Sequence, residues 1–338
     1  MGVFWDYASL PQRNLDGDDD RSPMDQARFK RALKGINTWY GHVKTHVLLV
    51  TLPLPTGHEY TNLQPYGGRG WCVAEQLMSA IVKDQDALID MSKLKGDETT
   101  VAHLVINGKS DRPPPMAPDA FHEMLTSGVE DGTIKFTNSG DVSVVAKIYE
   151  RAFVDEMSAA TSLEFGSLGW GDEQMATLCR ALTSAQAMGA MANLEVLLLD
   201  DNQVGDAGCI ALAKALGTGA MAQLRELHFM DNKIGDAGMT ALAGAVARGS
   251  LPQLQLLRLD SDKVGDQGMI AFAESLGNGA LAQLRKLYLG DNEIGEPGMT
   301  ALAGAIARGA LPVLKDLYMF ENAPALEAAC KTRGFEYH

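Results

Sequence analysis

The chain has 338 residues, enough at about 150 residues per domain for two domains with cores of ordinary size. Its composition, 46% hydrophobic and 21% charged, is that of a folded globular protein and excludes a disordered or collagen-like chain. Twenty-nine basic residues against 43 acidic ones give a net charge of −14, and division at residue 189 leaves −8 before it and −6 after it. Neither half carries the basic footprint that a polyanion requires, so nucleic acid is not an expected partner.

Taken in chain order, residues 1–158 alternate in type and contain no repeat. Val3–Tyr7 reads as a buried strand ending in an acid, followed by a polar loop over Gln12–Arg21. Ser22-Pro23-Met24-Asp25 is a helix start, with serine as N-cap and proline at the first helical position, and Phe29, Leu33, Ile36 and Tyr40 recur at helical spacing. His46–Leu52 reads as a second strand, Trp71–Val82 as an amphipathic helix, and Thr99–Asn107 as a third strand. Arg112-Pro113-Pro114-Pro115 is a stiff connector, and Val142–Met157 is a last helix before the second half. Strand–helix alternation of this kind predicts an open, mostly parallel α/β sheet.

The second half is periodic. Leu194, Leu224, Leu254, Leu284 and Leu314 are spaced by 30 residues, each opening a block of the form LxxLxLxxN. Phe229 and Met319 take the third apolar position in two blocks, and the closing position is Asn202, Asn232, Asp262, Asn292 and Asn322. Helical runs such as Met239–Gly249 follow. Leu163–Met175 reads as a degenerate copy in front, so 159–189 is expected to cap the array, and Ala325–Thr332 reads as a short closing helix. A strand with apolar residues at the first, fourth and sixth places cannot bury its face alone, so neighbours must stack into a curved solenoid. The asparagines can satisfy turn backbone between coils, whereas Asp262, accepting without donating when ionised, predicts a locally weaker third coil.

These blocks resemble the leucine-rich repeat, in its ribonuclease-inhibitor-like class with a full helix per repeat. The resemblance covers 190–338 and implies a binding module. Strand residues between the leucines face the concave side: Leu198, His228, Arg258, Tyr288 and Tyr318 in the central row, then a row ending in Phe320, then Asp201, Asp231, Ser261 and Asp291. Tyrosine and arginine are hot-spot residues and the acidic rim favours a partner with a basic surface. The plainer alternative is that the aspartates belong to the repeat and the tyrosines to good strand surface.

In the first half, YGGRGWCVAEQLMSAI (Tyr66–Ile81) is similar to the Trp-Cys-x-x-Glu helix of Toll/interleukin-1 receptor (TIR) domains, and Val3–Val50 to the strand–loop–helix–strand of TIR and heterokaryon-incompatibility-like modules. That likeness implies a TIR-like α/β domain over 1–158 with a signalling, scaffold or self-association role. In TIR-type NAD hydrolases the glutamate of this helix is catalytic. The position is Glu75, with Arg69 and Trp71 beside the nucleotide, and one carboxylate can stabilise the oxocarbenium-like centre formed when the nicotinamide–ribose bond breaks. NAD would then be a substrate, no cofactor being otherwise expected. The chain starts at about the second strand of the resemblance, and Trp71 and Glu75, one turn apart, equally well serve to orient the helix.

Other constellations carry no chemistry. Asp16, Asp18 and Asp20 imitate a calcium loop, but Arg21 stands where glycine must be and Ala27 where glutamate must be. His42 and His46 lack a third ligand, so no metal site is expected. Gly67-Gly68-Arg69-Gly70 is a turn or an anion cradle, without the lysine of a P-loop. Cys72, Cys179, Cys209 and Cys330 have no paired spacing, which suits a reducing compartment. With no secretory leader in the sequence and no apolar stretch near the ~18–20 residues of a membrane span, a cytoplasmic location is expected.

Overall fold

The computed structural model describes residues 22–42, 44–57, 62–138, 140–319 and 323–338, so the strand expected at Val3–Tyr7 and the acidic loop after it lie outside the described residues. Helix α1 (Pro23–Gly41) starts as its sequence dictates, the Ser22 hydroxyl accepting from the Asp25 amide. Strand β1 (Val47–Leu49), helix α2 (Gly70–Ala80) and strand β2 (Leu88–Asp90) make a β–α–β unit whose strands pair in parallel, Val47 opposite Leu88. Among the described residues this two-stranded sheet is all the sheet the first half contributes.

The third expected strand is a helix, α3 (Val101–Gly108). The Thr100 hydroxyl accepts from the His103 amide and caps it, and Val101 and Ile106 are left exposed. A short run of β-branched residues reads as a strand by propensity, but a capping threonine with an adjoining turn fixes the helical alternative. Helix α4 (Pro118–Glu130) has no counterpart in the sequence reading, and α5 (Asp141–Ala159) covers the expected last helix. Tyr149 of α5 is fully buried on Phe121 of α4, with ring centroids 4.0 Å apart and its hydroxyl donating to Met116 O.

From Ser162 onward each coil is a three-residue strand returning through a helix. The pairs are β3 (Ser162–Glu164) with α6 (Asp172–Ala187), β4 (Val196–Leu198) with α7 (Asp206–Leu216), β5 (Glu226–His228) with α8 (Asp236–Ala247), β6 (Leu256–Arg258) with α9 (Asp266–Ser275), β7 (Lys286–Tyr288) with α10 (Glu296–Ala307), and β8 (Asp316–Tyr318) with α11 (Pro324–Arg333). Strand β9 (Glu336–Tyr337) completes one parallel sheet in strict chain order. The sheet therefore gains a strand at each end over the five leucine blocks.

Three ladders hold the coils together. Leu197, Leu227, Leu257, Leu287 and Leu317 are completely buried and stack between coils. At the strand exits the Asn232 amide donates to Leu199 O and Phe229 O and its oxygen accepts from Val204 N; Asn292 repeats the pattern two coils on. At the helix starts Asp172, Asp206, Asp236 and Asp266 each accept two amides from the next coil, as Asp206 does from Gly235 and Gly238 at 2.8 Å. That last ladder explains the Gly-Asp-x-Gly signature: a Cβ at Gly238 would stand 2.8 Å from Asp206 Oδ1. Asp262 is the break in the asparagine ladder. Its Oδ1 accepts from Ile234 N, its Oδ2 is buried without a partner, and burial pushes the carboxyl up to about 8.

The first half seals the front of this stack through Arg112. The side chain, 3% exposed, donates to Ala80 O and Glu164 O, its guanidinium lies 4.5 Å over the Phe165 ring, and its own carbonyl accepts from the Trp170 indole. A single hydrophobic core runs from Ala74 through the coils to Phe335. Among the described residues no helix is long and apolar enough to cross a membrane.

Candidate functional site

Each solenoid strand buries its middle residue and turns the two flanking ones to the concave face. Parallel register lines the third residues up as Glu164, Leu198, His228, Arg258, Tyr288 and Tyr318. Residues 30 apart in sequence thereby become neighbours at roughly 4.8 Å strand spacing. The Tyr288 and Tyr318 rings stack at 4.2 Å with 2° between their planes, His338 stacks on Tyr318 at 4.6 Å, and the Arg258 guanidinium lies 5.0 Å from the Tyr288 centroid. Four side chains form one continuous stack. Its faces are occupied by one another, so it offers edges and hydroxyls to the groove. Burial and the hydrogen bond to Tyr318 raise the Tyr288 phenol above its ordinary range.

The surroundings are acidic. Arg258 is paired with Asp260 at 3.0 Å, so its charge is already met within the face. His228 lies between Glu226 at 3.3 Å and Asp200 at 3.6 Å. Glu164, Asp200, Glu226, Asp260, Asp316 and Glu336 stand on this side against Arg258 and Lys286.

The rim acids are placed for a different reason. Asp201, Asp231 and Asp291 have φ of 54°, 56° and 53°, and Ser167 and Ser261 hold the same left-handed place in their coils. Short polar side chains tolerate that conformation best, so the turn accounts for these residue types whether or not a partner touches them. Phe320 lies outside the described residues.

In the first half the three nucleotide-site candidates share the start of α2. Trp71 donates its indole N–H to Asp141 at 2.9 Å, tying α2 to α5, and Arg69 Nε donates to Gln64 O at 2.8 Å. The amides of Gly68, Arg69 and Gly70 donate to Pro65, Tyr66 and Lys135 carbonyls, which makes the glycine-rich stretch a turn and leaves those three amides no anion to hold. Glu75 is half-buried near Tyr66 and Cys72, and its charge helps, after burial itself, to raise the Tyr66 phenol. Depressions of about 410, 290 and 540 Å³ are lined by other residues, around Phe136, Met124 and Arg180.

The leucine-rich repeat family profile matches residues 190–213, 222–243 and 282–303. The C-terminal region is a leucine-rich repeat. Among solved structures the chain resembles an internalin from Listeria monocytogenes at 13% identity, covering 54% of this chain and 88% of that one, with a TM-score of 0.18 that carries no argument of its own. No curated protein matches the chain. Within the repeat, sequence reasoning missed Asp316, Glu336 and His338 as members of the face. Glu336 sits on β9 and His338 follows it directly, and the Glu-Tyr-His alternation is the short signal that the sequence offers for them.

Proposed function

We propose that the leucine-rich repeat, read as the ribonuclease-inhibitor-like class because every coil returns through a helix, recognises another protein on its concave face. The observation that carries this is the Arg258–Tyr288–Tyr318–His338 stack. It is ordered before any partner arrives, so binding to it costs little side-chain entropy, and its tyrosine edges lie among carboxylates that favour a basic partner surface. Residues 22–158 then act as a scaffold that closes the front of the repeat, the form in which a TIR-like signalling role is retained. NAD cleavage gains no support from the start of α2, where Arg69, Trp71 and the turn amides are engaged in holding the fold.

Quantitative affinity capture with the full chain and its Tyr288→Ala/Tyr318→Ala variant tests the reading. The captured proteins should be lost in the variant with an unchanged far-UV circular dichroism spectrum, and capture by the wild type should weaken as salt rises. Capture that survives the double substitution removes the concave face from the reading.

A further inference from the structure

The last two strands bring three metal-ligating side chains into one patch. Asp316 lies opposite Glu336 in the β8–β9 register, and alternation along β9 puts Glu336 and His338 on the same side. His338 Nε2 is 3.4 Å from Glu336 Oε2 and 4.0 Å from Asp316 Oδ1, and one donor atom from each residue falls within 4.8 Å of the others. Among the described residues both carboxylates make their ion-pair contact with this imidazole, and no lysine or arginine reaches either of them at salt-bridge distance. The backbone beneath is fixed: His338 N donates to Leu317 O at 3.0 Å, His338 O accepts from Met319 N at 2.9 Å, and Glu336 N donates to Lys315 O at 2.7 Å.

We propose that Asp316, Glu336 and His338 form a zinc site at the C-terminal end of the concave face. Bonds of about 2.0–2.2 Å to nitrogen and oxygen place tetrahedral ligand atoms roughly 3.3–3.5 Å apart, so one pair is already at coordinating separation and small carboxylate rotations bring in the third. One imidazole with two carboxylates suits zinc; calcium prefers six to eight oxygens, and soft cuprous copper prefers sulfur. Stacking on Tyr318 holds the His338 ring in place, the task that an outer hydrogen bond performs in many metal sites. Glu336 and His338 are exposed, which gives the ion an entry path and leaves its remaining position to water. The site was hidden in the sequence because Asp316 is 20 residues before Glu336 and only the strand pairing joins them.

Zinc titrated calorimetrically into the full, untagged chain should bind one ion per chain in the micromolar range. Asp316→Asn, Glu336→Gln and His338→Ala should each weaken it at least tenfold, with far-UV circular dichroism unchanged. Cobalt(II) in place of zinc should give visible d–d bands that His338→Ala abolishes. The absence of one-to-one zinc binding at about 100 µM ligand, well above a micromolar Kd, overturns the proposal. So does zinc binding that Asp316→Asn and His338→Ala leave intact, since it then resides on other side chains.

Discussion

Replacing Asp262 with asparagine should stabilise the protein, and by an amount that grows with pH. Asn202, Asn232 and Asn292 show what the position asks for: each donates to strand-end carbonyls of its own coil and of the coil before. In the third block the corresponding place is held by Asp262, which has no amide to donate and whose Oδ2 is buried and unpartnered. Burial, with Asp260 and Asp231 adding repulsion, outweighs the backbone amides of Ile234 and Asn232 and lifts the carboxyl from its ordinary 3.8 to about 8. The folded chain thus holds a proton that the unfolded chain releases. Stability from this group is whole below pH 3.8 and is lost progressively as pH rises to about 8, at about 1.4 kcal/mol per pH unit, on the order of 5 kcal/mol in all. Asparagine donates without titrating and removes the loss.

The assay is urea unfolding of wild type and Asp262→Asn between pH 5 and 9, since their difference cancels every shared titration. Because repeat arrays can unfold in parts, hydrogen exchange at the Ile234 amide, which donates to Asp262 Oδ1, supplies a local readout. The gap between the two proteins should widen from pH 5 to 8 and then level off. A gap that is constant over this range, or a variant less stable than wild type at pH 8, refutes the account of the ladder.

Gly268→Ala should cost about 1–3 kcal/mol in thermal or urea unfolding, because its Cβ would stand 2.8 Å from Asp236 Oδ1 and 2.9 Å from Met239 Cβ. Gly35→Ala, with nothing within 4 Å in the interior of α1, should instead stabilise by about 0.5–1 kcal/mol. Arg112→Ala should leave Ala80 O and Glu164 O without their donors and cost about 3 kcal/mol, exposing 22–158 to limited proteolysis before the repeat. Lys83, fully buried and donating to His42 O and to Thr45, has its ammonium lowered by burial from 10.5 to about 8. The unfolded chain keeps that proton longer, so the stability of wild type relative to Lys83→Met should rise between pH 8 and 10.5 by on the order of 3 kcal/mol, opposite in sign to the Asp262 effect.

The solenoid was legible because its constraint repeats. Five leucines at one spacing leave no freedom in strand, register or buried face, and the column Arg258, Tyr288, Tyr318 read from aligned blocks is the row that stacks in space. What the alignment could not carry is the state of each side chain: Arg258 already paired, and the rim aspartates already explained by left-handed turns. The first half lacks such redundancy. Val101–Ile106 satisfies strand and helix patterns alike until the Thr100 cap decides it, and the Pro118-Asp119 start with Phe121 and Leu125 one turn apart is a helix signal in a stretch with no repeat to amplify it.

Parallel in-order pairing also decides where chemistry can arise on this molecule. Any column of the repeat becomes a row of touching side chains, so stacking extends for as many coils as the column permits. Here it runs from Arg258 through Tyr288 and Tyr318, while the His228 imidazole of the coil before lies between Glu226 and Asp200, and it reaches His338 only because β9 adds a place beyond Tyr318. The same added strand sets Glu336 beside Asp316. The stacked edge and the Asp316–Glu336–His338 patch therefore share one cause, the added strand β9, which has no leucine block of its own. At the other end the stack of coils needs a different solution, since among the described residues β3 has no strand before it, and Arg112 supplies it by meeting the Glu164 carbonyl that a preceding strand would have bonded. A buried cation that, among the described residues, makes no salt bridge and feels Asp84 and Glu164 only at longer range is a costly way to do this. It holds the first half to the repeat through backbone oxygens, which no side-chain substitution at Ala80 or Glu164 removes.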